Sequence, residues 1–151
     1  MMFRGAYAFM SNMYACEIPC VIRGQHYTFH NAEALYQAMK CPERASEFEP
    51  LDGPAAKRLG KRVPIRPDWE KIKLQVMARV VHAKFGKNPA LAEKLMATGD
   101  IDIVETNSWR DTYWGTYKGA GSNHLGKILM AERAALASQQ KQSQPTAGKT
   151  A

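Results

Sequence analysis

The pattern of hydrophobic and polar positions predicts a short β-rich beginning followed by a mainly helical chain. Residues 17–22 and 26–29 are rich in β-favouring side chains, and Arg23, Gly24 and Gln25 between them are typical of a hairpin turn. After residue 30, apolar residues recur with helical spacing. Helices are predicted over residues 32–40, 52–60, 69–85, 88–99 and 124–137, with a strand-like alternation at 100–104.

Local signals predict how these helices begin and end. Asn31 and Asp68 precede two of them and are good N-cap residues, because their side chains can accept hydrogen bonds from free backbone amides. Gly60 is placed to close the helix at 52–60 in a left-handed conformation. The longest helix, from Trp69, carries apolar residues at helical spacing and is predicted to be core scaffold.

Length and composition predict one domain with one core. The chain has 151 residues, of which 45% are hydrophobic, and a domain of this size buries roughly two-thirds of its unfolded surface. No apolar stretch reaches the roughly 20 residues of a membrane span, and the beginning lacks a signal-peptide pattern, so a cytoplasmic location is expected. Residues 1–137 are predicted to form the domain and the polar residues 138–151 a disordered tail.

The cysteine and histidine pattern does not favour a metal centre. Cys16, Cys20 and Cys41 lack a second Cys or His pair that would complete a tetrahedral zinc site. The four histidines are also scattered, without the spacing of a metal-binding helix. We therefore expect reduced thiols, no metal, no cofactor and a metal-independent mechanism.

Basic residues are concentrated between residues 57 and 73 in a chain of formal net charge +7. Such a cluster can attract an anionic partner, phosphate included, but charge runs are also common on solvated faces. Both interpretations stay open from the sequence. Lys57 and Arg58 are the candidate phosphate-binding residues within this segment.

One face of the helix at 32–40 carries polar side chains. At about 100° per residue this face collects Glu33, Tyr36, Gln37 and Lys40. It is either a solvated face with a Glu suited to the helix dipole or the floor of a cleft. In a cleft, a carboxylate near a helix N-terminus can activate water or stabilise positive charge.

Aromatic residues and glycines are interleaved between residues 107 and 123, directly before the last predicted helix. Tryptophans in such a loop often fill the core. However, glycines permit close approach of a ligand, and free amides at the following helix start suit phosphate or an oxyanion. The Lys and Ser/Thr of a P-loop are absent.

Four blocks of the sequence together resemble the NADAR, or YbiA-like, family in order and spacing, across residues 3–133. They are FMSNMY at 9–14; AE at 32–33 with QAMK at 37–40; residues 68–77 with AKF at 83–85; and DTYWG at 111–115 with GSNHLG at 121–126. The resemblance implies an α+β fold, a helix-rich single domain with a small antiparallel β element. It also implies an N-glycosidase acting on ribosyl compounds.

The resemblance also implies site residues and substrates. Glu33 corresponds to the family's essential carboxylate, and Trp69 and Trp114 to its aromatic substrate contacts, with Asp111, Asn123 and Asn12 as polar site members and Lys40 on the same helical face as Glu33. Known family substrates include ribosylaminopyrimidine phosphates of riboflavin synthesis and, in some branches, ADP-ribose attached to guanine in nucleic acid. Asp111 is a candidate partner carboxylate for Glu33.

The sequence departs from the family pattern beside the proposed carboxylate. Ala34 and Leu35 stand where many members have His and an aromatic residue, and Met13 replaces a common Phe. These changes bear on substrate choice more than on reaction type. A non-catalytic nucleotide or nucleic-acid binding module is an alternative supported by the positive charge and the aromatic residues, and a structural scaffold is a third.

Overall fold

The computed structural model describes residues 3–143 and shows an α+β domain. The chain begins with a 3-10 helix at Gly5–Met10 and continues through the elements that follow: β1 (Ile18–Ile22), β2 (Gln25–Phe29), α1 (Ala32–Ala38), a 3-10 turn (Pro42–Arg44), α2 (Ala45–Phe48), α3 (Gly53–Gly60), α4 (Trp69–Lys87), α5 (Pro89–Ala97) and α6 (His124–Ser143). The predicted helix-rich fold with a small antiparallel β element is confirmed. Within residues 3–143, no helix has both the length and the apolar character needed to span a bilayer.

The hairpin forms where the sequence predicted it. β1 and β2 pair antiparallel, with Ile18 opposite Phe29 and Ile22 opposite Gln25. The two-residue turn holds Arg23 at φ 49° and Gly24 at φ 79°, the left-handed pair that suits the twist of a tight hairpin. Ile18 and Phe29 are fully buried and anchor the hairpin to the core.

Helix α1 lies at the centre of the domain, where it contacts α3 and α4. Every residue from Ala32 to Ala38 is buried, so the interpretation of its polar side as a solvated face is wrong. Asn31 caps α1 as predicted, since its Oδ1 accepts from the Ala34 amide at 2.8 Å. The regular helix ends at Ala38, two residues before the predicted end.

Two predicted helix ends are different in the structure. Asp68 makes no side-chain cap to α4, because its carboxylate pairs with Arg66 at 2.6 Å. Gly60 lies inside α3 and is absent from the left-handed glycines. Its lack of a side chain matters for packing instead, since a Cβ there would lie 1.9 Å from Gln37 Oε1.

Two predictions for the second half of the chain also need correction. The alternation at 100–104 forms no strand; Thr106 and Thr116 form an isolated bridge just beyond it. Helix α6 continues to Ser143, so the predicted disordered tail is wrong for residues 138–143, where Gln and Lys are good helix formers. Residues 144–151 of the predicted tail lie outside the described residues.

A buried lysine holds the first segment of the chain against α4. Lys84 is 1% exposed, and its Nζ donates to Phe9 O at 2.6 Å and to Ser11 O at 2.9 Å. Burial lowers the pKa of Lys84 to about 8. This contact fixes the segment that supplies Asn12 to the cavity described below.

Candidate active site

A cavity of about 430 Å³ opens beside α1, between the first segment, α3, α4 and the loop at 105–114. This volume is in the range of small-molecule sites. Its lining combines three carboxylates, three cations and several aromatic side chains. The polar and aromatic members include Arg4, Asn12, Glu33, Tyr36, Gln37, Lys40, Lys57, Glu105, Trp109, Asp111 and Trp114.

Glu33 lies in the first turn of α1 and faces the cavity. It is 8% exposed, its Oε1 accepts from Gln37 Nε2 at 2.8 Å, and its amide donates to Asn12 O at 2.9 Å. Burial raises the pKa of Glu33, while the Gln37 hydrogen bond and the nearby Lys57 and Lys40 oppose the rise. The result is a carboxylate that is held in place, largely dehydrated and faced by cations.

Gln37 lies between Glu33 and α3, and one of its two side-chain polar atoms has no hydrogen-bond partner among the described residues. Its Nε2 is bound to Glu33, whereas its Oε1 is buried and has no hydrogen-bond partner among the described residues. Buried polar atoms are rarely left unpaired. This oxygen packs against α3, since a Cβ at Gly60 would lie 1.9 Å from it, so Gln37 holds the Glu33 carboxyl group in place from the α3 side of the cavity.

An aromatic cluster forms one side of the site. The Tyr36 ring lies 5.2 Å from that of Trp69 and 5.6 Å from that of Trp114, and Tyr113 meets Trp114 edge to face at 4.7 Å. Trp114 and Tyr36 line the cavity, but Trp69 does not. Trp69 is 5% exposed and packs behind Tyr36, where it supports the wall.

Asp111 both lines the cavity and shapes the aromatic loop. Its Oδ1 accepts from the amides of Tyr113 and Trp114 at 3.0 and 2.9 Å. Asn107 holds it from the other side, since Asn107 Nδ2 donates to Asp111 O at 2.8 Å. One Asp111 oxygen is therefore used to build the turn that presents Trp114.

Asn123 lies outside the cavity and holds the loop together. Its Oδ1 accepts from the Glu105 amide at 2.8 Å, and its Nδ2 donates to Ile103 O at 2.9 Å. The predicted anion site at the start of α6 is occupied by backbone bonds, because the His124 and Leu125 amides donate to the carbonyls of residues 113 and 114. Phosphate binding at this helix start is therefore not supported.

Glu105 is a cavity residue that the sequence reasoning missed. It is 8% exposed, and its Oε2 accepts from Asn107 Nδ2 at 3.0 Å. Burial raises the pKa of Glu105 and the charge of Asp111 adds to the rise, whereas the Asn107 hydrogen bond and Lys57 oppose it. No motif surrounds it in the sequence, so folding alone brings it to Glu33's cavity.

The basic segment contributes unequally to the site. Lys57 and Lys40 line the cavity, whereas Arg58 is exposed and does not. Burial lowers the pKa of Lys40 and the charges of Lys57, Lys61 and Lys73 lower it further, while Glu33 opposes the fall. Lys40 after α1, Lys57 in α3, Lys61 after α3 and Lys73 in α4 therefore generate a positive field at the Lys40 end of the cavity.

The described part of the chain offers no obvious metal position. Within residues 3–143, no group of three or more His, Cys, Asp or Glu side chains is arranged to hold an ion. Cys16, Cys20 and Cys41 are free thiols, and burial raises the pKa of each.

The fold and sequence together define the class of protein. The NADAR domain family matches residues 2–137, and the chain belongs to this family.

Its relatives carry related names. It is 35% identical over 133 residues to riboflavin biosynthesis protein VVA0006 of Vibrio vulnificus, covering 84% of this chain but only 35% of that protein. It is 35% identical over 116 residues to N-glycosidase YbiA of Escherichia coli K12, covering 73% and 72% of the two chains. The NMR structure of E. coli YbiA superposes with a TM-score of 0.80 at 29% identity, covering 97% of this chain and 90% of that one.

Proposed function

We propose that this protein is an N-glycosidase that hydrolyses the C–N bond of a ribosylated, phosphate-bearing substrate such as a ribosylaminopyrimidine phosphate. The observation that carries the proposal is Glu33, a buried carboxylate on a cavity that also holds Lys40 and Lys57. Relatives named N-glycosidase and riboflavin biosynthesis protein support the same reaction class. The cytoplasmic location expected from the sequence stays a prediction.

In the proposed mechanism, the ribose C1′ lies beside Glu33. Breaking the C–N bond builds oxocarbenium character on the sugar, which a fixed carboxylate stabilises while it orients and deprotonates the attacking water. Because Glu33 is buried and already bound to Gln37, little reorganisation is needed at the moment of reaction.

The other cavity residues are proposed to bind the substrate. Trp114 and Tyr36 offer an aromatic wall for the planar base, and Lys40 and Lys57 offer charge for the phosphate. Asn12 lies beside Glu33 and positions it through its carbonyl, and Asp111 holds the loop that carries Trp114.

A panel of substrates tests the proposal. The protein is incubated with ribosylaminopyrimidine phosphate, NAD, ADP-ribose and ADP-ribosylated DNA, and released base and sugar phosphate are followed by mass spectrometry. We expect base and sugar phosphate in equal amounts from the ribosylaminopyrimidine phosphate. Binding without release of base from any compound would contradict the proposal and favour a binding module.

One observation favours a larger substrate as a second candidate. Trp109 lines the cavity but is 59% exposed, and Arg4 lies on the same lining. An exposed aromatic ring on a cavity that also carries a cation can stack on a base distant from the bond that is cleaved. Removal of ADP-ribose from guanine would use this surface, and faster release from ADP-ribosylated DNA in the same panel would identify it.

Lys57 provides a test of phosphate binding with a neighbouring control. Lys57→Gln removes a cation from the cavity, so KM should rise more than kcat falls, and the change should shrink at high salt because screening already weakens the attraction. Arg58→Gln removes the same charge one residue away, outside the cavity, and should leave KM within about twofold. Equal changes for both variants would show that the segment acts only through overall charge.

Metal independence is the further prediction for this mechanism. Water is activated by Glu33 in the proposal, so dialysis against EDTA should leave the rate of base release unchanged. The measurement compares treated protein with and without added zinc or magnesium. Loss of activity that either ion restores would show that a metal takes part.

A further inference from the structure

Glu33 and Glu105 place carboxyl groups on one cavity from two separate parts of the fold. Glu33 comes from α1, and Glu105 from the segment between α5 and α6, where its amide donates to Asn123 Oδ1 and its carbonyl accepts from the Thr116 amide. Both side chains are 8% exposed. Two buried carboxyl groups on one cavity are the arrangement by which enzymes divide acid and base work.

Of the two candidate partners for Glu33, Asp111 is already engaged. Its Oδ1 is the acceptor for two backbone amides, so protonating or moving this carboxylate would loosen the turn that carries Trp114. The Glu105 carboxyl instead has one side-chain donor among the described residues, Asn107 Nδ2 on Oε2. Its position is fixed by tight packing, because a Cβ at Gly115 would lie 1.5 Å from Oε2.

Gln37 holds the Glu33 carboxyl group in place on the same cavity. Gln37 is 4% exposed and lines the cavity with both glutamates. Its Nε2 donates to Glu33 Oε1 at 2.8 Å, and its Oε1 packs against α3, where a Cβ at Gly60 would lie 1.9 Å from it. Both glutamates are therefore held by neighbouring side chains at fixed positions on the cavity.

We propose that Glu105, and not Asp111, is the catalytic acid that protonates the departing base while Glu33 activates water. The inference rests on the proposed function. As the bond from C1′ to nitrogen breaks, its electron pair stays on the base, and the Glu105 proton moves to the base. Water adds to C1′ and gives its proton to Glu33, and one proton passed back through solvent restores both carboxyl groups.

The surroundings of the two glutamates favour this division of roles. The charged groups facing Glu33 are Lys57 and Lys40, and both favour its ionised form. Among the described residues, Glu105 faces Lys57 but also Asp111, whose negative charge favours the protonated form. Glu105 thus differs from Glu33 in having a second carboxylate among the charged groups that face it.

Comparing two leaving groups shows whether Glu105 donates a proton or only supports the structure of the cavity. Ribosylaminopyrimidine phosphate is compared with p-nitrophenyl β-ribofuranoside 5-phosphate, whose phenolate departs without a proton. Glu105→Gln should lower kcat for the first substrate on the order of 100-fold to 10,000-fold and for the second by less than about tenfold. Glu33→Gln should slow both, and Glu93→Gln, an exposed change on α5, should slow neither.

Wild-type protein gives a second test that does not depend on the variant folding. If Glu105 donates a proton, kcat/KM for the ribosylaminopyrimidine phosphate should fall at high pH, as the acid is lost, and that fall should be absent for the nitrophenyl compound. Equal slowing of both substrates by folded Glu105→Gln, or the same alkaline fall for both with wild type, would overturn the inference. Failure of wild type to release any base would instead overturn the proposed function itself.

Discussion

Glu33→Gln should lower kcat on the order of 100-fold to 10,000-fold and leave KM nearly unchanged. The substitution keeps the shape of the side chain and an oxygen that can still accept from Gln37 Nε2, so α1 and the cavity should persist. It removes the negative charge that stabilises the oxocarbenium ion and the base that deprotonates water. These interactions are made in the transition state, so their loss appears in kcat.

A matched change elsewhere controls for the loss of one carboxylate. Glu93→Gln alters an exposed glutamate on α5 that does not line the cavity, and its kinetics should match wild type. Circular dichroism first confirms that both variants fold. Steady-state release of base then gives kcat and KM, and a raised KM at unchanged kcat for Glu33→Gln would assign this residue to binding only.

Lys84→Met should lower the free energy of unfolding by about 2–4 kcal/mol at pH 7. The change leaves Phe9 O and Ser11 O without their buried donor, and an unpaired buried carbonyl costs about 1–3 kcal/mol. Lys84→Met also removes the free-energy cost of burying the lysine's charge, and this offsets part of the loss. Urea unfolding measures the difference, with Lys87→Met, an exposed lysine of the same helix, as the control.

The pH dependence of this difference has a definite sign. The pKa of Lys84 is lowered to about 8 in the folded protein from 10.5, so above pH 8 the unfolded chain binds the proton more tightly. Stability from this group therefore rises as pH increases from about 8 to 10.5 and is lost as pH falls through 8. The gap between wild type and Lys84→Met should widen over that interval, and a constant gap would show that Lys84 does not titrate there.

Local features of the fold followed from the sequence because they depend on neighbouring residues. The Arg23–Gly24 turn needs only two left-handed residues between two β-favouring runs, and the Asn31 cap needs only one acceptor before a helix. Helical spacing likewise located α1, α3, α4, α5 and α6. Asp68 failed as a cap because Arg66, two residues away, competes for its carboxylate.

The composition of the cavity depends on contacts between distant residues and was predicted only in part. Glu33 was identified from its place in the family pattern, but whether its helix face was solvated or buried depended on α3 and α4, which cover it. Trp69 and Asn123 belong to the same sequence blocks as cavity residues, yet they pack one layer behind the lining. Glu105 had no local signal, because its role depends on a segment 72 residues from Glu33 in sequence.

Single-turnover cleavage tests the central claim, that Glu33 carries hydrolysis of an N-glycosidic bond in this cavity. Ribosylaminopyrimidine phosphate is mixed with an excess of protein, at a protein concentration that binds all of the substrate. Base and sugar phosphate are then quantified over time for wild type and Glu33→Gln. Wild type should release equal amounts of both products, and folded, substrate-bound Glu33→Gln should release base on the order of at least 100-fold more slowly. Release by that variant within a fewfold of the wild-type rate would contradict the claim.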